Sequence, residues 1–134
     1  MNRPLSDLSI LIAEDEVIIG MALTSEIARA GGTSIGPVTS IANALKEIES
    51  NSVDVVILDA KLVDGWGADF AAYLEERQIP YVVISGYDKA SLPQALRKAP
   101  FVAKPISLPN LMEAIEGLAA ASEAHTAAIP VADD

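Results

Sequence analysis

Five residues of this chain have side chains suited to anion and cation chemistry, and each follows a short apolar run: Glu14, Asp15, Asp59, Ser85 and Lys104. Carboxylates with no cysteine or nearby histidine form an oxygen-only donor set, which favours a hard ion. Mg²⁺ suits such a site when it keeps waters and receives a phosphate. Three acids brought into one pocket need an answer to their own charge, because unit charges about 5 Å apart repel by roughly 3 kcal/mol at an effective dielectric near 20. They protonate, spread apart or hold a cation. Ser85 can donate to an oxyanion, and Lys104 is a mobile point charge that suits phosphate. The bond from Lys104 to Pro105 is of the kind that can be cis. Singly, each residue also has a plainer reading: Asp59 capping a loop, the acids solvated apart, Ser85 opening a turn, Lys104 in water.

The elements that would gather these residues are legible in the apolar pattern. Val53 to Leu58 is short and β-branched, the signature of a strand covered on both faces, and Asp59 follows at its carboxyl end. The same grammar of apolar strand then amphipathic helix recurs five times. The first strand covers about Ser9 to Ala13, and Ile18, Ile19, Ala22, Leu23, Ile27 and Ala30 give the following helix its apolar face, ending at Gly31-Gly32. A second strand is expected near Thr33 to Gly36 and a second helix, capped by Ser40, through about Glu49. A third helix runs from Ala68 to Arg77, a fourth strand is "YVVIS" after Pro80, and a short helix interrupted by Pro93 spans Leu92 to Lys98. A fifth strand covers Phe101 to Ala103. Ser107 caps a last helix through about Ala120, with Leu108, Leu111, Ala114, Ile115 and Leu118 on one face. The expected fold is therefore α/β: a flavodoxin-like, doubly wound, five-stranded parallel sheet of order 2-1-3-4-5, built from five βα units. That order sets the first and third strands side by side, so Glu14 and Asp15 meet Asp59 at the carboxyl edge, where such sheets bind ligands. Residues 1–7 read as an N-terminal arm, 8–120 as one domain, and 121–134, small, polar and aperiodic, as a disordered tail.

Composition narrows the function classes. At 134 residues the chain suffices for one domain with a proper core. It has no cysteine, which excludes disulfides, thiolate metal sites and a cysteine nucleophile, and its one histidine, His125, falls in the tail. A formal net charge of -10 argues against direct nucleic-acid binding, which depends on Lys and Arg. Neither a bilayer-spanning apolar run nor a secretory signal is present, so no membrane partner and a cytoplasmic location are expected.

Glu14-Asp15, Asp59, Ser85-Gly86 and Lys104-Pro105, in that order and spacing, resemble the receiver (CheY-like) domain of two-component response regulators. The resemblance covers roughly Leu8 to Ala120. It implies that Asp59 is the phosphoacceptor, supplied by a sensor histidine kinase or a histidine phosphotransfer protein. It implies that Glu14, Asp15, Asp59 and the backbone carbonyl of Lys61 hold Mg²⁺, and that Ser85 and Lys104 contact the phosphoryl oxygens. It further implies a switch through Ser85 and the strand-five aromatic, here Phe101, for which simple core packing is the alternative. Lys61 and Tyr87 flank the acceptor and by analogy tune phosphate lifetime. An added phosphate brings nearly two charges and strong acceptors, enough to reorder the Ser85 loop.

There are departures. Glu14 stands where Asp is usual, Ser85 where Thr is commoner, and Val63 where many receivers carry Pro, which predicts a more mobile loop after Asp59. "PYVVISGY" partly matches the P-F-x-F-A-T-G-Y pattern of mostly stand-alone alphaproteobacterial receivers: Pro80, Gly86 and Tyr87 agree, and Val83 and Ile84 depart. The expected function is a single-domain response regulator, not an enzyme with turnover, that switches protein–protein interactions on phosphorylation; whether it then dimerises is open. Met1 and the tail favour a complete chain, with a receiver excised from a hybrid kinase or longer regulator as the alternative. A pseudo-receiver working without phosphorylation is a third reading, disfavoured by Asp59 and Lys104. A haloacid-dehalogenase-like phosphohydrolase is disfavoured because Lys61 occupies the place of its second acid. Trp66, beside the acceptor loop, is a candidate fluorescence reporter.

Overall fold

Five consecutive buried residues, Val55 to Asp59, form the central strand β3 of a five-stranded parallel sheet. A computed structural model describes residues 4–128, with side chains described through Ser122. Strands β1 (Ser9–Ala13) and β2 (Thr33–Val38) lie to one side of β3. A two-residue-per-strand hairpin, β4 (Lys61–Leu62) and β5 (Gly65–Trp66), follows β3 outside the sheet. The other side is β6 (Tyr81–Ser85) and β7 (Phe101–Ala103), giving the order β2-β1-β3-β6-β7. With the hairpin set aside, this is the expected 2-1-3-4-5 flavodoxin-like order.

Alternation along each strand divides the core into two layers. Leu11, Ala13, Val56, Leu58 and Val83 face helices α2 (Ile41–Ser50) and α3 (Ala68–Glu76), meeting Ala44, Ile48, Phe70 and Leu74. Ile10, Ile12, Val55, Ile57, Val82 and Ile84 face α1 (Val17–Arg29) and α4 (Leu108–Ala128), meeting Leu23, Ile27, Leu111 and Ile115. Both faces are covered, which is why the strands read as unbroken apolar runs.

The turn chemistry follows the sequence closely. Helix α1 ends in a Schellman motif: Gly31 N–H donates to Ala28 O at 3.1 Å and Gly32 N–H to Ile27 O at 2.9 Å, with Gly31 at φ +94°. Ser40 Oγ accepts from Asn43 N–H at 3.1 Å, and Ser107 Oγ from Asn110 N–H at 3.3 Å, as the two capping expectations require. Strand β2 is longer than expected, reaching Val38 through Gly36 at φ +94°, where the pairing with β1 slips.

Two expectations need correction. The fourth crossover contains no α-helix; Lys89–Ser91 and Gln94–Arg97 are separate 3₁₀ turns, so only four of the five βα units carry an α-helix among the described residues. Pro93 withholds an N–H and forces Leu92 into extended backbone (ψ 153°), so a helix cannot propagate through it. Leu92 and Leu96 still bury in the core. The last helix does not stop near Ala120 but continues to Ala128. Alanine has high helix propensity and produces no apolar periodicity, so a tail reading of residues 121–128 failed; residues 129–134 lie outside the described residues. The N-terminal arm is docked: Leu5 is fully buried against α1 and its N–H donates to Ala30 O at 3.0 Å. Among the described residues no helix is long and apolar enough to cross a membrane.

Candidate functional site

Parallel register brings distant residues to one edge. Ala13 pairs with Leu58 and Asp59 with Ile84, so Glu14, Asp59 and Ser85 leave the sheet at neighbouring strand ends. Ser85 pairs with Ala103, and Lys104 N–H donates to Ser85 O at 2.9 Å, bringing Lys104 to the same edge. The Lys104–Pro105 bond is cis. A cleft of about 380 Å³ opens here, lined by Asp15, Glu16, Asp59, Lys61, Leu62, Gly86, Tyr87 and Lys104. A larger apolar groove of about 420 Å³, with Ile79, Tyr81 and Leu118 in its walls, lies at the opposite end of β6 and away from this chemistry.

Lys104 is the hub. Its ammonium donates to Glu16 Oε2 at 2.7 Å, Asp59 Oδ2 at 2.9 Å and Glu14 Oε2 at 3.3 Å. Burial pulls its pKa down, but the hydrogen bonds to Glu16, Asp59 and Glu14 outweigh this and hold it above the usual lysine value. Asp59 is buried, and its second oxygen, Oδ1, accepts from Lys61 N–H at 3.3 Å. Glu14 is also buried. Its burial, together with a hydrogen bond to Asp59, pushes its pKa up to about 7, against the lowering effect of Glu16 N–H, which donates to Oε2 at 2.9 Å.

The donor set fits a hard dication. Glu14, Asp15 and Asp59 each turn a carboxylate oxygen toward one point, all within 4.8 Å of one another. Glu14 Oε1 lies 3.0 Å from the Lys104 ammonium but outside hydrogen-bond geometry, and is a buried oxygen without a hydrogen-bond partner. An unpartnered buried carboxylate oxygen is costly unless a cation or proton meets it. Burial first, and the neighbouring Asp59 after it, raise the Glu14 pKa, and the same burial leaves Oε1 with the Lys104 ammonium as its one nearby charge and no hydrogen bond.

An aromatic rim borders the cleft. Trp66 and Tyr87 rings lie 5.2 Å apart at 57°, and the Lys61 ammonium sits 5.4 Å from the Trp66 centroid. Tyr87 N–H donates to Ser85 Oγ at 2.9 Å, so the Ser85 hydroxyl is an acceptor here and its own proton is available. Phe101 is half-buried and pairs with Val83, one layer below Ser85, as part of the core. The loop after Asp59, expected to be loose because Val63 replaces Pro, is a tethered hairpin instead. Val63 N–H donates to Thr39 O at 3.2 Å, and the Asp64 carboxylate accepts from Ile41 N–H at 2.8 Å and Ala42 N–H at 3.2 Å. Asp64 thus caps α2 from outside its own helix, and the Ile41 N–H bond holds its pKa below the usual value.

Every residue singled out in the sequence reaches this edge except Phe101, which stays with the core. Sequence reasoning missed Glu16 and Asp64. In "AEDE" Glu16 reads as an ordinary acid at a helix start; the available signal was a third carboxylate one residue beyond the pair. Asp64 had no local signal, because its partners are more than twenty residues away.

A family model described as the response regulator receiver domain matches residues 10–116. The transcriptional regulatory protein PdtaR of Mycobacterium tuberculosis is 32% identical over 111 residues, which cover 80% of this chain and 54% of PdtaR. The swarming motility regulation protein RssB of Serratia marcescens is 30% identical over 116 residues, covering 83% of this chain and 52% of RssB. The chain spans about half the length of these curated relatives. The solution structure of SdrG from Sphingomonas melonis Fr1 superposes with a TM-score of 0.73 at 32% identity, covering 86% of this chain and 97% of SdrG. The receiver domain of the Francisella response regulator 1452 shares the fold at a TM-score of 0.73 and 19% identity, covering 87% of this chain and 99% of that one.

Proposed function

Because the chain belongs to the response regulator receiver domain family, we propose that it is a phosphorylation switch whose acceptor is Asp59, charged by a phosphohistidine on a sensor histidine kinase or phosphotransfer protein. The observation that carries this reading is the contact of 2.9 Å between the Lys104 ammonium and Asp59 Oδ2 inside the three-carboxylate cluster. In the step, a carboxylate oxygen of Asp59 attacks phosphorus, the P–N bond breaks, and the donor imidazole nitrogen keeps the electron pair. Positioning and charge neutralisation are most of what such a transfer needs from a protein.

Glu14, Asp15, Asp59 and the Lys61 carbonyl would hold Mg²⁺, which when bound supplies positive charge to the phosphoryl oxygens. Lys104 supplies the second positive charge from the carboxyl end of β7. Ser85 gives up its role as acceptor for Tyr87 N–H and turns its O–H to the phosphoryl group, releasing the Tyr87 segment. That local change, spread through the loop after β6, alters the surface offered to a protein partner. Lys61 and Tyr87 line the cleft beside Asp59 and tune the lifetime of the acyl phosphate.

Intact mass after incubation with Mg²⁺ and acetyl phosphate or phosphoramidate tests the reading. One phosphoryl mass on wild type and none on Asp59→Ala is expected. No addition from either donor, with Mg²⁺ binding also absent, would leave a pseudo-receiver that binds partners without phosphorylation.

A further inference from the structure

The shortest of the three hydrogen bonds made by Lys104 goes to a residue outside the metal cluster. An ammonium has three donors, and here Glu16, Asp59 and Glu14 take all of them. Glu16 is the exposed member, its side chain 59% accessible against 8% for Asp59 and none for Glu14. It also stands at the N-cap of α1 in extended backbone (φ -90°, ψ 112°), yet makes no side-chain cap. Its N–H is pinned to Glu14 Oε2, and its carboxylate turns away from its own helix to Lys104.

We propose that Glu16 is a positioning residue that holds Lys104 in the unphosphorylated state and is displaced when a phosphoryl group arrives on Asp59. The inference rests on the phosphorylation reading above. A phosphoryl group needs at least one of the Lys104 donors, and they are all engaged. With Glu14 held by the ion and Asp59 carrying the phosphoryl group, Glu16 is the partner left competing with the phosphoryl oxygens for the ammonium, and at 59% exposure it can be rehydrated where it stands. Glu16 therefore leaves first, and the freed carboxylate sits beside the open N-terminus of α1, where negative charge is favoured. Its grip also opposes the active state, since any ligand that needs Lys104 must first break it.

The test uses beryllofluoride as the phosphoryl analogue, titrated calorimetrically at saturating Mg²⁺ into wild type, Glu16→Gln and Glu16→Asp. Aspartate keeps the charge but is too short to hold the ammonium from this backbone position. Both variants are expected to bind the analogue about 2- to 5-fold more tightly, the factor a partly exposed ion pair corresponds to. Tightening in Glu16→Gln alone would mean that only the field of the charge matters, and would overturn the proposal, as would no change in either. A second readout needs neither analogue nor metal: the Lys104 ammonium should give a protected ¹H–¹⁵N signal in Mg²⁺-free wild type that is lost in both variants. The same signal in all three proteins would overturn the proposal. If wild type fails to bind beryllofluoride while that signal behaves as expected, the phosphorylation reading fails and the ion pair survives.

Discussion

Replacing Glu14 by glutamine removes the most strained charge in the site, and the effect should reverse with metal and vary with pH. The Glu14 pKa rises from its ordinary 4.5 to about 7 in the folded chain, with burial the main cause. Folding therefore binds a proton between those limits. Stability from this group is fully present below pH 4.5 and is lost as pH rises through about 7. At 1.36 kcal/mol per pKa unit the loss is about 2–3 kcal/mol, the lower end allowing for water in the open cleft. Glutamine mimics the protonated acid at every pH. In the absence of Mg²⁺, Glu14→Gln should match wild type near pH 5 and exceed it by about 10 °C in Tm at pH 8. Circular-dichroism melts in EDTA at the two pH values measure this, and comparing two variants at each pH cancels the other titrating acids. At saturating Mg²⁺ the order should invert at pH 8, because wild type gains stability from ion binding that the amide cannot match. An equal difference in Tm at pH 5 and pH 8 in EDTA would refute the argument.

The same proton competes with the ion, so wild-type Mg²⁺ affinity should fall about tenfold from pH 8 to pH 6, and a flat calorimetric profile would contradict the raised Glu14 pKa. Asp64→Ala removes the carboxylate that accepts from Ile41 and Ala42 N–H, so Tm should drop and hydrogen exchange at those two amides should quicken; unchanged exchange would mean the hairpin does not cap α2. Gly36→Ala forces a side chain into φ +94° with its Cβ 2.7 Å from Ile12 O, and denaturant melts should show a loss of about 1–3 kcal/mol. Trp66 emission should change when Mg²⁺ and acetyl phosphate are added to wild type but not when both are added to Asp59→Ala, since the ring lies 5.2 Å from Tyr87 and Tyr87 N–H is tied to Ser85. A spectrum that responds equally in both proteins would separate Trp66 from phosphorylation.

Most of the sheet was legible because burial on both faces writes itself as β-branched runs, and helix ends write themselves as Gly31-Gly32, Ser40 and Ser107. The four-edge constellation was legible too, since parallel topology sends every strand's carboxyl end to one side. Where local reading failed, the reason was local. Pro93 forbids an α-helix that the flanking apolar residues otherwise imply, and the alanines after Ala120 extend a helix without any periodic stripe.

Residue types and strand order were enough to name Asp59, Glu14, Asp15, Ser85 and Lys104 as neighbours and their three carboxylates as a donor set that fits a hard cation. How charge is shared among them was not, because it depends on which oxygen each donor reaches. The Lys104 ammonium divides itself among Glu14, Glu16 and Asp59, Glu14 Oε1 is left with an ion pair but no hydrogen bond, and Asp64 ties the hairpin to α2. Those contacts join residues up to 90 positions apart. Their strength turns on differences in distance of a few tenths of an ångström and on exclusion of water, quantities that exist only once the strands have packed.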